Sequence, residues 1–253
     1  MLVAIDCGNT QTVIGLFADH ALIDNWRIAT ISERTSDELA LMFQQFLAFH
    51  GTGDQPVTGM VIGSGVPRMT VALREMSERY FGFPALVLEA GVRTGMPILY
   101  DEPRNVGADR IANAIGAYDL YGGPTVIVDF GTANTVDAVS EKGEYLGGAI
   151  FPGIEISLDA LFARAAMLRR VELVPPKNVI GKSTIEAIQS GAVYGYTGQV
   201  DGLVDRFQGE LGPCTVVATG GLAELIMPHS RTIQHYEPWL TLQGLRIVYE
   251  RNT

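Results

Sequence analysis

The chain has 253 residues, enough for one large or two modest cores, and its 47% hydrophobic and 18% charged residues exclude a disordered polypeptide. A net charge of −10 and a pI near 4.8 exclude a duplex nucleic-acid binder, which needs a basic face to neutralise phosphates. Nucleotides stay open as ligands, because a few local donors and a metal ion suffice to hold them. The two cysteines, Cys7 and Cys214, form no C-x-x-C pair, so no disulfide framework is expected, in keeping with a reducing cytosol. No Lys or Arg precedes Arg27, and Asp6 interrupts the first apolar run, so the charged start of a signal peptide is missing. With no run of ~18 uncharged apolar residues, a soluble, cytoplasmic protein without membrane or nucleic-acid partners is expected.

In chain order, Val3–Ile5 reads as a buried strand ending at Asp6. Gly8, Asn9 and Thr10 then form a polar turn, and Thr12–Phe17 returns to strand-forming residues. The hairpin tip is either a plain Asn-Thr turn or a set of donors for phosphate oxygens, with Asp6 beside a cation. Ala21–Thr30 is a further strand with Trp26 and Ile28 on one face. Thr35 and Glu38 make a capping box before a helix whose stripe is Leu39, Met42, Phe43, Phe46 and Leu47, ending at Gly51. Val57–Gly63 is a buried strand that breaks at Gly63-Ser64-Gly65, followed by a helix over Pro67–Phe81 and a short strand at Ala85–Leu88.

Gly91–Asn105, with Pro97 and Pro103, is a long loop of the kind that carries function. It delivers Val106-Gly107-Ala108-Asp109-Arg110 to a helix running to about Tyr118. Tyr121-Gly122-Gly123-Pro124 is the strongest turn signal and marks the centre of a domain boundary. Tyr145–Gly153 is a glycine-rich return, and Ile154–Leu168 is a helix with Ile154, Leu158, Leu161 and Phe162 inward. Val174–Gly181 is a loop. Ser183–Phe207 is helical, with Gly191, Gly195 and Gly198 permitting close packing of helices or of backbone against a ligand. Thr215–Ala218 is a strand and Leu240–Tyr249 the last helix.

The opening hairpin recurs. VAIDCGNTQTV and VIVDFGTANTV align without a gap, pairing Asp6 with Asp129, Gly8 with Gly131, Thr12 with Thr135 and Val13 with Val136. A weaker match joins VIGSGVP at Val61–Pro67 to VVATGGLAE at Val216–Glu224. Both in the same order imply a duplicated domain, strands first and helices after. Two aspartates at strand ends, each followed by Gly and hydroxyl residues, suit a two-part phosphate clamp with cations at the carboxylates.

Other motifs are less decisive. Ala218-Thr219-Gly220-Gly221 is either a plain strand–helix turn or a place where a ring or phosphate nears the backbone. Asp109 either caps its helix or accepts a hydroxyl proton, with Arg110 able to grip a carboxylate. Gly181-Lys182-Ser183-Thr184 is no P-loop, because Pro176 stands where that signature needs glycine. No G-x-G-x-x-G, H-E-x-x-H or G-x-S-x-G pattern occurs, and the four histidines are scattered.

The stretches DCGNT (Asp6–Thr10), DFGT (Asp129–Thr132) and ATGG (Ala218–Gly221) resemble the phosphate 1, phosphate 2 and adenosine motifs of the actin, sugar-kinase and heat-shock-chaperone superfamily. Over its whole length the chain resembles type III pantothenate kinases. The resemblance is carried by DCGNT, Asn105–Arg110, DFGTANTVD (Asp129–Asp137), GGAIFPG (Gly147–Gly153), IGKST (Ile180–Thr184), QSG (Gln189–Gly191) and LTLQGL (Leu240–Leu245). Leu168-Arg169, where the family pattern has Leu-Pro, is a local departure away from these stretches.

The resemblance implies an α/β fold of duplicated ribonuclease H-like (actin-like ATPase) domains, each a mixed sheet flanked by helices, over residues 1–118 and 119–253. It implies ATP-dependent phosphorylation of pantothenate at its primary hydroxyl to 4'-phosphopantothenate, the first step of coenzyme A biosynthesis. Carried over by position, Asp109 is the catalytic base. Asp6, Cys7, Gly8, Asn9, Thr10, Gln11, Thr12, Val13 and Thr132 contact ATP. Asp129 holds a monovalent cation, K+ or NH4+, and Mg2+ accompanies the phosphates. Tyr100, Gly107, Ala108, Asp109, Arg110 and Thr184 line the pantothenate pocket, near the subunit contact of a homodimer. The alternative is a non-catalytic regulatory protein of the Bvg accessory factor type on the same fold.

Overall fold

The computed structural model describes residues 1–50, 56–165 and 168–253. They fall into two units: Met1–Pro97 with Asp101–Gly116 and Leu240–Thr253, and Ile98–Tyr100 with Ala117–Trp239.

In the first unit, β1 (Leu2–Cys7), β2 (Gln11–Ala18) and β3 (Ala21–Ala29) form an antiparallel meander, and β4 (Gly59–Ser64) and β5 (Leu86–Val87) extend it in parallel. The strand order is β3-β2-β1-β4-β5. Helix α1 (Ser36–His50) starts at the expected capping box: Glu38 N donates to Thr35 Oγ1 at 3.3 Å, and Thr35 N to Glu38 Oε2 at 2.8 Å. Its apolar stripe buries Leu39 and Phe43, and Phe46 stacks on Trp26 at 5.4 Å. The expected stop at Gly51 lies outside the described residues. Helix α2 (Pro67–Met76) is shorter than predicted; Ser77–Phe81 continues it as a π-helical turn, closed by Gly82 at φ 80°. Together these helices cover Val3, Ile5 and Cys7, one face of β1. Helix α3 (Ala108–Tyr121) follows the long loop, and its residues to Gly116 belong to this unit.

The second unit repeats the plan. The strands β6 (Thr125–Phe130), β7 (Ala133–Val139) and β8 (Tyr145–Pro152) are antiparallel, and β9 (Thr215–Thr219) and β10 (His235–Tyr236) run parallel to β6, in the order β10-β9-β6-β7-β8. Helices α4 (Ile154–Arg164), α5 (Thr184–Leu211) and α6 (Ala223–Ile226) complete it. Val126, Val128, Phe130, Val136 and Val216 meet Ile154, Val200 and Ala223 in its core. The expected duplicated α/β fold is what both sheets show, each central strand carrying its aspartate near its C-terminal end.

Three local expectations are corrected. Burial along α4 fades from Ile154, fully buried, to Leu161, 41% exposed, so Leu161 is not inward and the helix ends at Arg164. Gly191, Gly195 and Gly198 have open space where a β-carbon would stand, so they mediate no close helix packing among the described residues. The gapless pairing of Thr12 with Thr135 fails across the turn. Cys7 lies opposite Thr12, leaving four residues between them, whereas Phe130 lies opposite Asn134 with three between. The second turn is one residue tighter, and a one-residue slip moves every following side chain to the other face of its strand.

Helix α7 (Leu240–Glu250) belongs to the first unit. It lies on the Asp6 face of the first sheet, where Gly15, Gly59 and Gly63 meet Leu242, Tyr249 and Leu245. It also crosses α3 with almost no separation: a β-carbon at Gly244 would sit 1.9 Å from the Ala112 carbonyl oxygen, and one at Gly116 would sit 2.8 Å from that of Leu240. Backbone cannot yield as a flexible side chain can. Gly244→Ala is therefore expected to destabilise the protein by about 3 kcal/mol or more, whereas Gly198→Ala on exposed α5 surface is expected to stabilise by ~0.5–1 kcal/mol; urea unfolding midpoints check both.

Asp201 of α5 ties down the segment before β10, accepting from Ser230 Oγ at 2.6 Å, Thr232 Oγ1 at 2.7 Å and the Arg231 and Thr232 amides. Burial pushes its carboxyl pKa up, but these hydrogen bonds outweigh it and hold the group below its ordinary 3.8. A folded-state value below the unfolded one gives stability that is present above pH 3.8 and lost as pH falls through the folded value. The stability gap between the wild type and Asp201→Asn is expected to be constant near neutral pH and to shrink on acidification below that value, measured by urea titration across pH.

Candidate active site

The Asp6 turn is built from beneath. Gly8 N donates to the Gln11 carbonyl at 3.1 Å, closing the loop. Thr30, at the end of β3, donates through Oγ1 to the Gly8 carbonyl at 2.8 Å and through its amide to that of Thr10 at 3.0 Å. Thr12 is fully buried, with its hydroxyl 2.8 Å from that of Thr30 and donating to Cys7 Sγ at 3.4 Å. Cys7 and Thr12 therefore brace the turn, and Asn9, Thr10 and Gln11 face solvent. Asp6 is half-buried on the other side of the strand, between Val13 and Gly63. Nothing in the sequence distinguished Thr30, because its role depends on the register of β3.

The same face of the sheet receives the start of α3. A β-carbon at Gly63 would lie 3.0 Å from Leu245 Cδ2 and 3.7 Å from Ala108 Cβ, so Ala108 packs over the strand next to Asp6. Asp109 folds back over Gly107, where a β-carbon would lie 2.3 Å from Asp109 Oδ1; that position has no room for one. Helix α3 starts with Ile111 N donating to Gly107 O. The Asp109 side chain is exposed and accepts no hydrogen bond from the described residues, so helix capping does not use it. Arg110 is 5% exposed and turned inward.

In the second unit Asp129 stands between Thr135 of β7 and Thr219 of β9. Its Oδ1 lies 2.6 Å from where a β-carbon at Gly220 would be and 3.6 Å from one at Gly131; Gly220 also has φ 91°. The DFGT and ATGG stretches, far apart in sequence, thus meet around one carboxylate. The exposed turn at Gly131–Ala133 rests on the end of β8, where Gly153 N donates to the Thr132 carbonyl at 3.1 Å. Among the described residues no three His, Cys, Asp or Glu side chains gather as a metal site. Asp129, a half-buried carboxylate flanked by Gly131 and Gly220, fits a hard cation whose other ligands are phosphate oxygens and water.

Tyr100 is fastened to the second unit. Leu99 N donates to the Tyr145 carbonyl at 2.8 Å, the Tyr100 and Tyr145 rings are 6.4 Å apart, and Gly147, at φ 119°, leaves room for the Tyr100 ring. Thr184 is exposed at the first position of α5, behind an N-cap in which Ser183 Oγ accepts from Glu186 N at 3.2 Å. Tyr121 donates to Glu237 at 2.5 Å, and burial first, with that bond second, pushes its phenol up to about 12. Asp6–Val13 and Gly107–Arg110 thus lie in the first unit, and Tyr100, Asp129, Thr132 and Thr184 in the second. Sequence reading missed a buried cluster on the Asp129 face. Asp137 accepts from Thr135 Oγ1 at 2.9 Å and from the Tyr145 hydroxyl at 2.7 Å. The available signal was an acid two residues from a threonine in a strand whose other residues, Asn134 apart, are apolar.

Comparison with known proteins places these features in context. The family model described as type III pantothenate kinase matches residues 2–206. Type III pantothenate kinases of Moorella thermoacetica and Streptomyces coelicolor are 54% and 53% identical to the chain, covering 100% of it and 100% and 98% of their own lengths. Among solved structures, a Campylobacter jejuni protein named for the Baf family of transcriptional activators aligns with TM-score 0.60 and 19% identity over 99% of this chain and 98% of that one. Component A of the (R)-2-hydroxyglutaryl-CoA dehydratase of Acidaminococcus fermentans aligns with TM-score 0.59 and 14% identity over the same shares. These distant structures share the fold. The close relatives and the family model go further: the chain belongs to the type III pantothenate kinase family.

Proposed function

We propose that this chain transfers the γ-phosphoryl group of ATP to the primary hydroxyl of pantothenate, releasing ADP and 4'-phosphopantothenate. The observation that carries this reading is family membership over the full length, in a chain that keeps an Asp-Gly-Thr type turn at the end of each central strand. Asp109 takes the hydroxyl proton as the oxygen attacks the γ-phosphorus and the bridging oxygen leaves with ADP. Its exposed carboxylate, spent on no hydrogen bond among the described residues, supports that role. Arg110, Gly107, Ala108, Tyr100 and Thr184 bind pantothenate, and the buried placement of Arg110 suits a fixed guanidinium more than a flexible one.

ATP is held by Asp6–Val13 and Thr132. Asn9, Thr10 and Gln11 offer exposed donors, and Cys7 and Thr12 keep the turn in shape. Mg2+ travels with the ATP phosphates and offsets charge that builds up during transfer. Asp129 takes the monovalent cation, K+ or NH4+. The chain acts as a homodimer in the cytoplasm; a second copy would cover apolar side chains such as Ile150, Val179 and Ile180, which stand exposed in the second unit. Among the described residues no helix is long and apolar enough to cross a membrane. The regulatory alternative is not favoured, because relatives above half identity carry the kinase name and the Baf-named structure, at 19% identity, speaks to fold.

An assay of ATP-dependent phosphate transfer to pantothenate tests the reading directly, and absence of product with potassium and Mg2+ present would refute it. Asp109→Asn is expected to lower kcat by ~10²–10⁴ while the Kd for ATP holds; wild-type turnover in that variant would remove Asp109 from the role of base. Replacing potassium by sodium is expected to abolish most activity, and Asp129→Ala to raise the KM for ATP about tenfold or more. Equal rates in the two salts, or an unchanged KM, would take the cation and the phosphates away from Asp129.

A further inference from the structure

We propose that Asp137 is a positioning residue for phosphoryl transfer, linking the Asp129 turn to Tyr100 through the hydroxyls of Thr135 and Tyr145. The inference rests on the reading of Asp129 and Tyr100 as phosphate-side and substrate-side residues. All of its members lie in the second unit.

The cluster runs from the strand paired beside Asp129 to Tyr100. Thr135 is the cross-strand neighbour of Asp129, so both side chains project from the same face of the sheet. Thr135 donates to Asp137 Oδ2, two residues on and on the same face, and Tyr145 donates to Asp137 Oδ1. Asp137 and Tyr145 are both completely buried. Tyr145 in turn sets Tyr100 twice, through its carbonyl, which accepts from Leu99 N, and through its ring. A movement of Tyr145 therefore moves the aromatic ring proposed to meet pantothenate, and a movement of Thr135 disturbs the strand beside Asp129.

Fold alone does not require this cluster. By register, the first-unit counterparts of Thr135 and Asp137 are Val13 and Gly15, because Asp6 faces Val13 as Asp129 faces Thr135. The same strand is built there without a carboxylate or a hydroxyl. Burying a carboxylate is costly unless its oxygens are satisfied, so a chain that does so in one of two equivalent places does it for geometry. Two hydroxyl donors on one planar group fix both the threonine and the tyrosine rotamers, the kind of support a site needs to hold substrate within a fraction of an ångström.

The test uses the full-length protein and three near-isosteric variants, Tyr145→Phe, Thr135→Val and Asp137→Asn, with steady-state kinetics in both substrates. Ligand-induced shifts in melting temperature, measured with pantothenate alone and with a non-hydrolysable ATP analogue alone, report binding without turnover. Tyr145→Phe is expected to raise the KM for pantothenate about tenfold, Thr135→Val to raise that for ATP by about as much, and Asp137→Asn to raise both. The unaffected substrate in each single-end variant stays within about twofold, and the melting-temperature shifts follow the same split. Variants that melt earlier but keep both KM values and both ligand shifts would show a purely structural cluster and overturn the proposal. If the wild type makes no phosphopantothenate, the pantothenate reading fails instead. The ATP-analogue shift of Thr135→Val against the wild type then still decides the network, an unchanged shift overturning it.

Discussion

Each unit sets an aspartate near the end of its central strand, and glycines are among the residues packed beside it. Asp129 Oδ1 occupies space that a side chain at Gly220 would take, and lies 3.6 Å from where a β-carbon at Gly131 would stand. Asp6 has Gly63 beside it in the parallel strand, and the space above Gly63 is filled by Ala108 and Leu245. Gly220, Gly131 and Gly63 therefore set the volume beside two aspartates.

Duplication supplied two equivalent strand ends, and a single residue made them different. The turn after Phe130 is one residue shorter than the turn after Cys7. That slip puts Thr135 on the Asp129 face, whereas Thr12 points into the core to brace its own turn with Cys7 and Thr30. One half thus spends its hydroxyls on holding a loop of exposed donors. The other builds a buried polar cluster from Thr135, Asp137 and Tyr145 and attaches Tyr100 to it. Two copies of one motif can in this way take different tasks without a change of fold.

The long loop and the last helix show how the first unit is closed. Helix α7 needs Gly15, Gly59 and Gly63 beneath it and Gly116 beside it, and its own Gly244 against Ala112. This close crossing sets where α3 begins over the sheet, and so where Asp109 stands. The Asp109 carboxylate folds back over Gly107 and makes no capping bond among the described residues.

Local pattern was enough for much of this protein. Strand periodicity, the Thr35–Glu38 capping box, the repeated Asp-Gly hairpin and the motif order determined the fold class, the duplication and the family, because these depend on neighbours a few residues apart. Tertiary structure alone decided what depends on register and on chain segments far apart in sequence. A gapless alignment hid the shorter second turn, since length in a hairpin turn shows only when opposite strands are paired. Thr30 and Tyr145 were silent in the sequence, and Asp137 gave only an acid beside a threonine, because their hydrogen-bond partners lie on other strands or are set by pleat. Leu161 looked inward by spacing yet is exposed, because spacing gives the side of a helix and not how far along it the core extends. The two aspartates were legible from the start; how closely glycines pack beside them was a property of the fold.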